Sequence, residues 1–206
     1  MPSLSGYKIY DTDEPCNYTG QKLVEAMTKV VDDRLSENQR ELNLKGCCVG
    51  NNGLQVIGED PRIANIKRLN LGGNKIGDAG AHFLAETEAF SKLNWLELGG
   101  NDLSPEGVRV LIKSKVLRKL KTLNLYRNYI KDEGAKILAE ENELEKIEEM
   151  DLAQNEIGDE GFIALSNSEK FPNLVALYLD NNFGTREGKA SARLNPNFKK
   201  LQSLNL

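Results

Sequence analysis

The chain has 206 residues and a formal charge of -4, with an isoelectric point near 5.3. That balance offers no global attraction to nucleic acid or to an anionic membrane, and no apolar run approaches the roughly 20 residues needed to span a bilayer. The length alone would allow one or two ordinary domains.

The opening residues, MPSLSGYKIYDTDE, lack the apolar core of a secretory signal. A cytoplasmic setting is therefore expected, with export by a route that needs no N-terminal signal as the alternative. Tyr7 to Tyr10 read as a short strand and Asp11 to Pro15 as a loop. Thr19 is placed to N-cap a helix running to about Leu35, with Leu23, Met27, Val30 and Val31 as its buried stripe. Residues 1–39 thus form a capping segment. Three cysteines, Cys16, Cys47 and Cys48, cluster near this end and are expected to be reduced structural thiols rather than a redox or metal site.

From residue 40 onward one unit recurs every 27 residues without an insertion or deletion. Its strand anchors are Leu42, Leu69, Leu96, Leu123, Met150, Leu177 and Leu204, each followed two residues later by another leucine. Leu-x-Leu puts one face of a short strand inward and leaves the other free. A polar position five residues after the anchor reads Cys47, Asn74, Asn101, Asn128, Asn155 and Asn182, where an amide can satisfy backbone groups that no neighbouring strand reaches. A glycine read as a turn residue follows at Gly53, Gly80, Gly107, Gly134, Gly161 and Gly188, and then a helix with an inward apolar face, such as Phe83 and Leu84. Two further inward columns close the unit, one running from Ile63 to Phe198 and the other from Ile66 to Leu201. No unit can bury its apolar face alone, so the copies must stack. Six repeats and a terminal strand stub over residues 40–206 then make a single α/β solenoid, with a parallel sheet on the concave side and helices on the convex side.

The pattern LxxLxLxxNxIxxxGxxxLA resembles the leucine-rich repeat, and its 27-residue period with a full helix resembles the ribonuclease-inhibitor-like class. The resemblance covers Leu42 to Leu206. It implies a curved horseshoe that binds other proteins, and it leaves the partner open because function lives in the surface residues.

Residues flanking the strand leucines line up across copies and point off the core. The first row runs from Glu41 to Ser203, the second from Asn43 to Asn205, and the third reads Lys45, Gly72, Gly99, Tyr126, Ala153 and Asp180. Aromatic residues and arginine dominate protein interfaces. The candidate contacts are Arg68, Trp95, Glu97, Tyr126, Glu149, Asp151, Tyr178 and Asp180, with Trp95, Tyr126 and Tyr178 expected to be exposed. This mixture fits a partner with a basic or amphipathic surface; the plainer alternative is that Trp95 merely covers Arg68 and Thr122.

A basic run from Arg109 to Lys131 precedes a run of glutamates from Glu140 to Glu149. Adding one period to Lys113, Arg118 and Lys121 gives Glu140, Glu145 and Glu148, so lateral ion pairing is favoured over nucleic-acid binding. Gly72 to Gly80 lacks the Gly-Lys-Ser/Thr ending of a phosphate loop, and Asp180, Asn182 and Gly184 lack the remaining spacing of a calcium loop. The lone His82 cannot build a triad or a metal site. No cofactor or metal is called for. Glu149 and Asp151 face the same way about 7 Å apart, yet a shallow wall would neither exclude water nor raise one pKa, so a non-enzymatic role is expected. Alternatives are a self-assembling scaffold that uses the C-terminal strand edge, or a regulator of an enzyme such as a small GTPase or a nuclease. The last copy is degenerate: Gly184 stands where Ile76 and Ile130 stood, and Ser191 and Ala192 replace the large helix pair. A truncated chain, or a last edge covered by another molecule, is expected there.

Overall fold

The computed structural model of the chain describes residues 17–193 and 200–206. The expected strand at Tyr7 to Tyr10, the loop at Asp11 to Pro15, Cys16 and the inward Phe198 lie outside the described residues. Each strand is three residues long: β1 (Glu41–Asn43), β2 (Arg68–Asn70), β3 (Trp95–Glu97), β4 (Thr122–Asn124), β5 (Glu149–Asp151), β6 (Ala176–Tyr178) and β7 (Ser203–Asn205). They pair in parallel and in chain order as one open sheet. The register puts Leu42, Leu69, Leu96, Leu123, Met150, Leu177 and Leu204 side by side, which is the anchor column of the sequence. Three-residue strands suffice because every residue is matched by its 27-residue equivalent, and each anchor from Leu42 to Leu177 is buried.

Helices follow the strands: α1 (Gly20–Arg34), α2 (Gly50–Glu59), α3 (Gly77–Glu86), α4 (Pro105–Ile112), α5 (Lys131–Glu141), α6 (Asp159–Ser166) and α7 (Arg186–Arg193). Leu23, Met27, Val30 and Val31 of α1 are buried against the first copy, where Leu35 bridges Leu42. Thr19 sits at the N-cap of α1 but makes no side-chain cap bond. Cys47 is a free buried thiol whose pKa burial pushes up. Cys48 is disulfide-bonded, contrary to the expectation of reduced thiols. Adjacent residues diverge here because Cys47 fills the inward asparagine position while Cys48 is only half-buried and so can be reached from outside the stack.

The asparagine column is the internal brace. Asn101 Oδ1 accepts the N–H groups of Asn74 and Ile76 at 2.9 and 3.2 Å, while its Nδ2 donates to the Leu71 and Gly99 carbonyls at 2.8 and 3.4 Å. Asn128 does the same for Asn101, Leu103 and Leu98, and Asn182 for Asn155, Ile157 and Leu152. Buried backbone groups are thereby satisfied one repeat back, where no strand hydrogen bond reaches.

The glycine column is not a turn. Gly80, Gly107, Gly134, Gly161 and Gly188 lie inside the first turn of their helices, and what they supply is room. A Cβ on Gly107 would stand 2.2 Å from Asp78 Oδ1, and one on Gly188 2.2 Å from Asp159 Oδ1. Those carboxylates cap the following helix: Asp78 accepts from Ser104 N at 2.9 Å, Asp132 from Gly158 N and Gly161 N, and Asp159 from Thr185 N at 2.7 Å. An acid at a helix start also sits favourably at the positive end of the dipole. The degenerate last copy has a similar steric reason. A Cβ on Gly184 would lie 2.8 Å from the Phe162 ring, so Phe162 occupies the volume that an isoleucine fills elsewhere.

Opposite charges do pair between successive copies. Lys121 meets Glu148 at 2.7 Å as the period requires, but Lys113 meets Glu141 at 2.6 Å and Arg118 meets Glu143 at 3.8 Å. For the first of these shifted pairs the helices differ in length: Lys113 lies one residue past α4, whereas Glu140 and Glu141 still belong to α5. No helix of the described residues is long and apolar enough to cross a membrane.

Candidate concave interaction surface

The strand residues that point off the core form the concave wall, and their order comes from the backbone itself. In the second row each carboxamide or carboxylate accepts the N–H two residues on: Asn70 from Gly72 at 3.0 Å, Glu97 from Gly99 at 2.6 Å, Asn124 from Tyr126 at 2.8 Å and Asp151 from Ala153 at 2.9 Å. These local bonds fix side chains that would otherwise sample several rotamers.

In the first row Arg68 lies over the Trp95 ring, 4.2 Å from its centroid, and reaches Glu41 at 3.8 Å. Trp95 is half-buried rather than exposed, because the guanidinium covers one face of the indole. Tyr178 is likewise half-buried, and only Tyr126, 37% accessible, is exposed among the three aromatic candidates.

Beyond the strands the wall opens into a hollow of about 950 Å³. Of the eight candidates, Glu97, Tyr126 and Asp151 line it, whereas Arg68, Trp95, Glu149, Tyr178 and Asp180 lie outside it. Gly72 and Gly99 of the third row also line it, together with Gly73, Gly100, Tyr129, Arg127, Asp102 and Glu156, residues that a reading confined to strand-flanking positions passes over. Two neighbouring Gly-Gly pairs were the available signal.

Electrostatically the wall is acidic. Burial raises the Glu97 carboxyl above its ordinary range, Asp151 pushes the same way, and the Gly99 N–H and Lys45 pull it down. Burial also raises Asp151, aided by Asp180 and Glu149 and opposed by the Ala153 N–H and Asn124. Asp180 Oδ1 is buried without a hydrogen-bond partner. Among the described residues no group of three or more His, Cys, Asp or Glu could hold a metal ion.

The leucine-rich-repeat family model matches residues 40–58, 63–85, 116–139 and 144–166. The chain is a leucine-rich-repeat protein. Among solved structures it is similar to an internalin (inlF) from Listeria monocytogenes str. 4b F2365, with 26% identity and a TM-score of 0.48. That match covers 73% of this leucine-rich-repeat protein and 37% of the internalin chain, so the protein spans well under half the internalin's length. No curated protein matches it.

Proposed function

We propose that this leucine-rich-repeat protein is a non-enzymatic interaction module that takes a protein partner on its concave wall, and that the partner offers a basic or amphipathic surface. The observation that carries the reading is the acidic hollow with Tyr126 in its lining and with Glu97 and Asp151 already held by backbone N–H groups. Ordered side chains lose little entropy on binding, and a half-exposed aromatic beside carboxylates suits an amphipathic guest. The open wall does not favour catalysis. Both raised carboxyls share the same environment, whereas acid–base chemistry needs two groups whose pKa values are driven apart. The basic run from Arg109 to Lys121 is tied to glutamates of the next copy, which leaves little of it for nucleic acid.

Affinity capture from native lysate tests the reading, comparing the intact protein with a Trp95→Ala, Tyr126→Ala, Asp151→Ala variant of verified thermal stability. A protein captured by the first and lost by the second is the expected result. Unchanged or empty capture would remove the concave wall as the working surface, and a mass that grows with concentration in light scattering would then favour a self-assembling scaffold. Regulation of an enzyme would show as a change in the captured partner's turnover.

A further inference from the structure

The hollow exists because two successive copies carry no side chain just past their strands. A Cβ on Gly73 would meet no heavy atom within 4 Å, and the nearest atom to one on Gly100 is the Gly73 amide nitrogen at 3.9 Å. The floor is therefore bare backbone that a guest can touch directly. The next copy places Tyr126 against this floor: its Cβ lies 3.5 Å from a Cβ built on Gly99.

Glu97 and Asp151 stand in the same row two strands apart, at aligned register positions on β3 and β5 on either side of Asn124. Strand spacing separates their backbones by about 10 Å. Neither makes an ion pair among the described residues, and like-charge repulsion raises both, from Asp151 on Glu97 and from Asp180 and Glu149 on Asp151. Of the cations that line the hollow, Lys45 belongs to its first copy and Arg127 to the copy between Glu97 and Asp151, and the carboxylates of Glu97, Asp102, Asp151 and Glu156 outnumber them. The lining is left with a net negative charge.

Resting on the concave-wall reading above, we infer that the hollow receives an arginine side chain of the partner protein, its guanidinium set against Tyr126 and bridging Glu97 and Asp151. A planar fork with donors on both edges can hydrogen-bond two carboxylates this far apart, whereas an ammonium satisfies one at a time. The flat cation also stacks on a phenol ring, as a lysine ammonium does less well. Bare glycine below lets the guest's methylene stem lie against the backbone.

The test is an amide NMR titration of the full chain with acetyl-Gly-Arg-Gly-amide, and with its citrulline and lysine counterparts. Saturable shifts centred on Gly73, Gly99, Gly100 and the Asn124 side chain are expected with arginine, at least about fivefold weaker with lysine or the neutral, near-isosteric citrulline. Glu97→Gln, which keeps the shape and the Gly99 contact, is expected to weaken the arginine peptide by about three- to tenfold, and Gly100→Arg to abolish its binding by filling the hollow. Equal shifts with citrulline, shifts scattered over other surfaces, no saturation with any peptide, or indifference to Glu97→Gln would each overturn the inference. Capture of a partner lost in the triple variant, combined with any of those results, would leave the concave reading standing and remove only the arginine site. Arginine binding with empty capture would do the reverse.

Discussion

The two halves of the solenoid carry the same backbone and opposite surfaces. Just past β2 and β3 the residue in the left-handed region is glycine, with φ of 67° at Gly73 and 65° at Gly100; past β4, β5 and β6 it is Arg127, Gln154 and Asn181, at 52°, 54° and 57°. An L-residue pays about 1–2 kcal/mol for that conformation, yet three are held there. The common factor is the buried asparagine beneath, which binds its own loop and the copy before it in both halves. The loop shape is thus imposed from inside, and the outward residue is free to be a void or a wall.

Removing the brace should break both halves alike. Asn101→Ala strands the N–H groups of Asn74 and Ile76 and the Leu71 carbonyl, and at about 1–3 kcal/mol for each buried unsatisfied group the expected loss is about 3 kcal/mol or more. Asn128→Ala should cost about the same in urea unfolding; a clearly smaller loss would mean that the halves are braced differently. Next comes the helix glycine. Gly107→Ala should cost about 1–3 kcal/mol, since its methyl would collide with Asp78. Adding Asp78→Ala should recover part of that loss, a non-additivity that a double-mutant cycle reads directly.

Exchanging the loop residues gives a smaller effect of opposite sign in the two halves. Gly100→Ala should destabilise by about 1 kcal/mol, and Arg127→Gly should stabilise by up to about 1 kcal/mol. A loss of several kcal/mol at Gly100 would show that glycine, not the asparagine, sets the loop.

The smallest effect is at Glu97, whose folded pKa is raised by burial. Between the unfolded value and the raised one the native state holds more protons, so this residue's contribution to stability falls as pH rises through that window. Glu97→Gln should therefore be neutral or stabilising at pH 7, within about 0.5 kcal/mol, with the difference vanishing in acid below both values. A loss of stability at pH 7 would show that the charge is compensated within the fold.

The strand register, the buried columns and the asparagine role were legible in the sequence because an unslipped period assigns every position a neighbour. The rest depended on what lies between copies. Nothing in the spacing shows that Gly107 makes room for Asp78, or that Phe162 substitutes for the volume lost at Gly184. Nor does periodicity give the ion-pair register where α5 outruns α4, or the stacking of Arg68 on Trp95. Three candidate contacts fell in the hollow and five outside it, because a hollow is defined by missing side chains in two successive copies rather than by those present.

The asparagine brace also points in one direction along the chain. Asn74 completes the loop that holds Val49, Asn101 the loop that holds Asn74 and Ile76, and Asn128 the loop that holds Asn101 and Leu103. A copy is therefore finished only by its successor. On a translating ribosome each newly emerged copy must wait, its loop still hydrated, until the next 27 residues have cleared the exit tunnel.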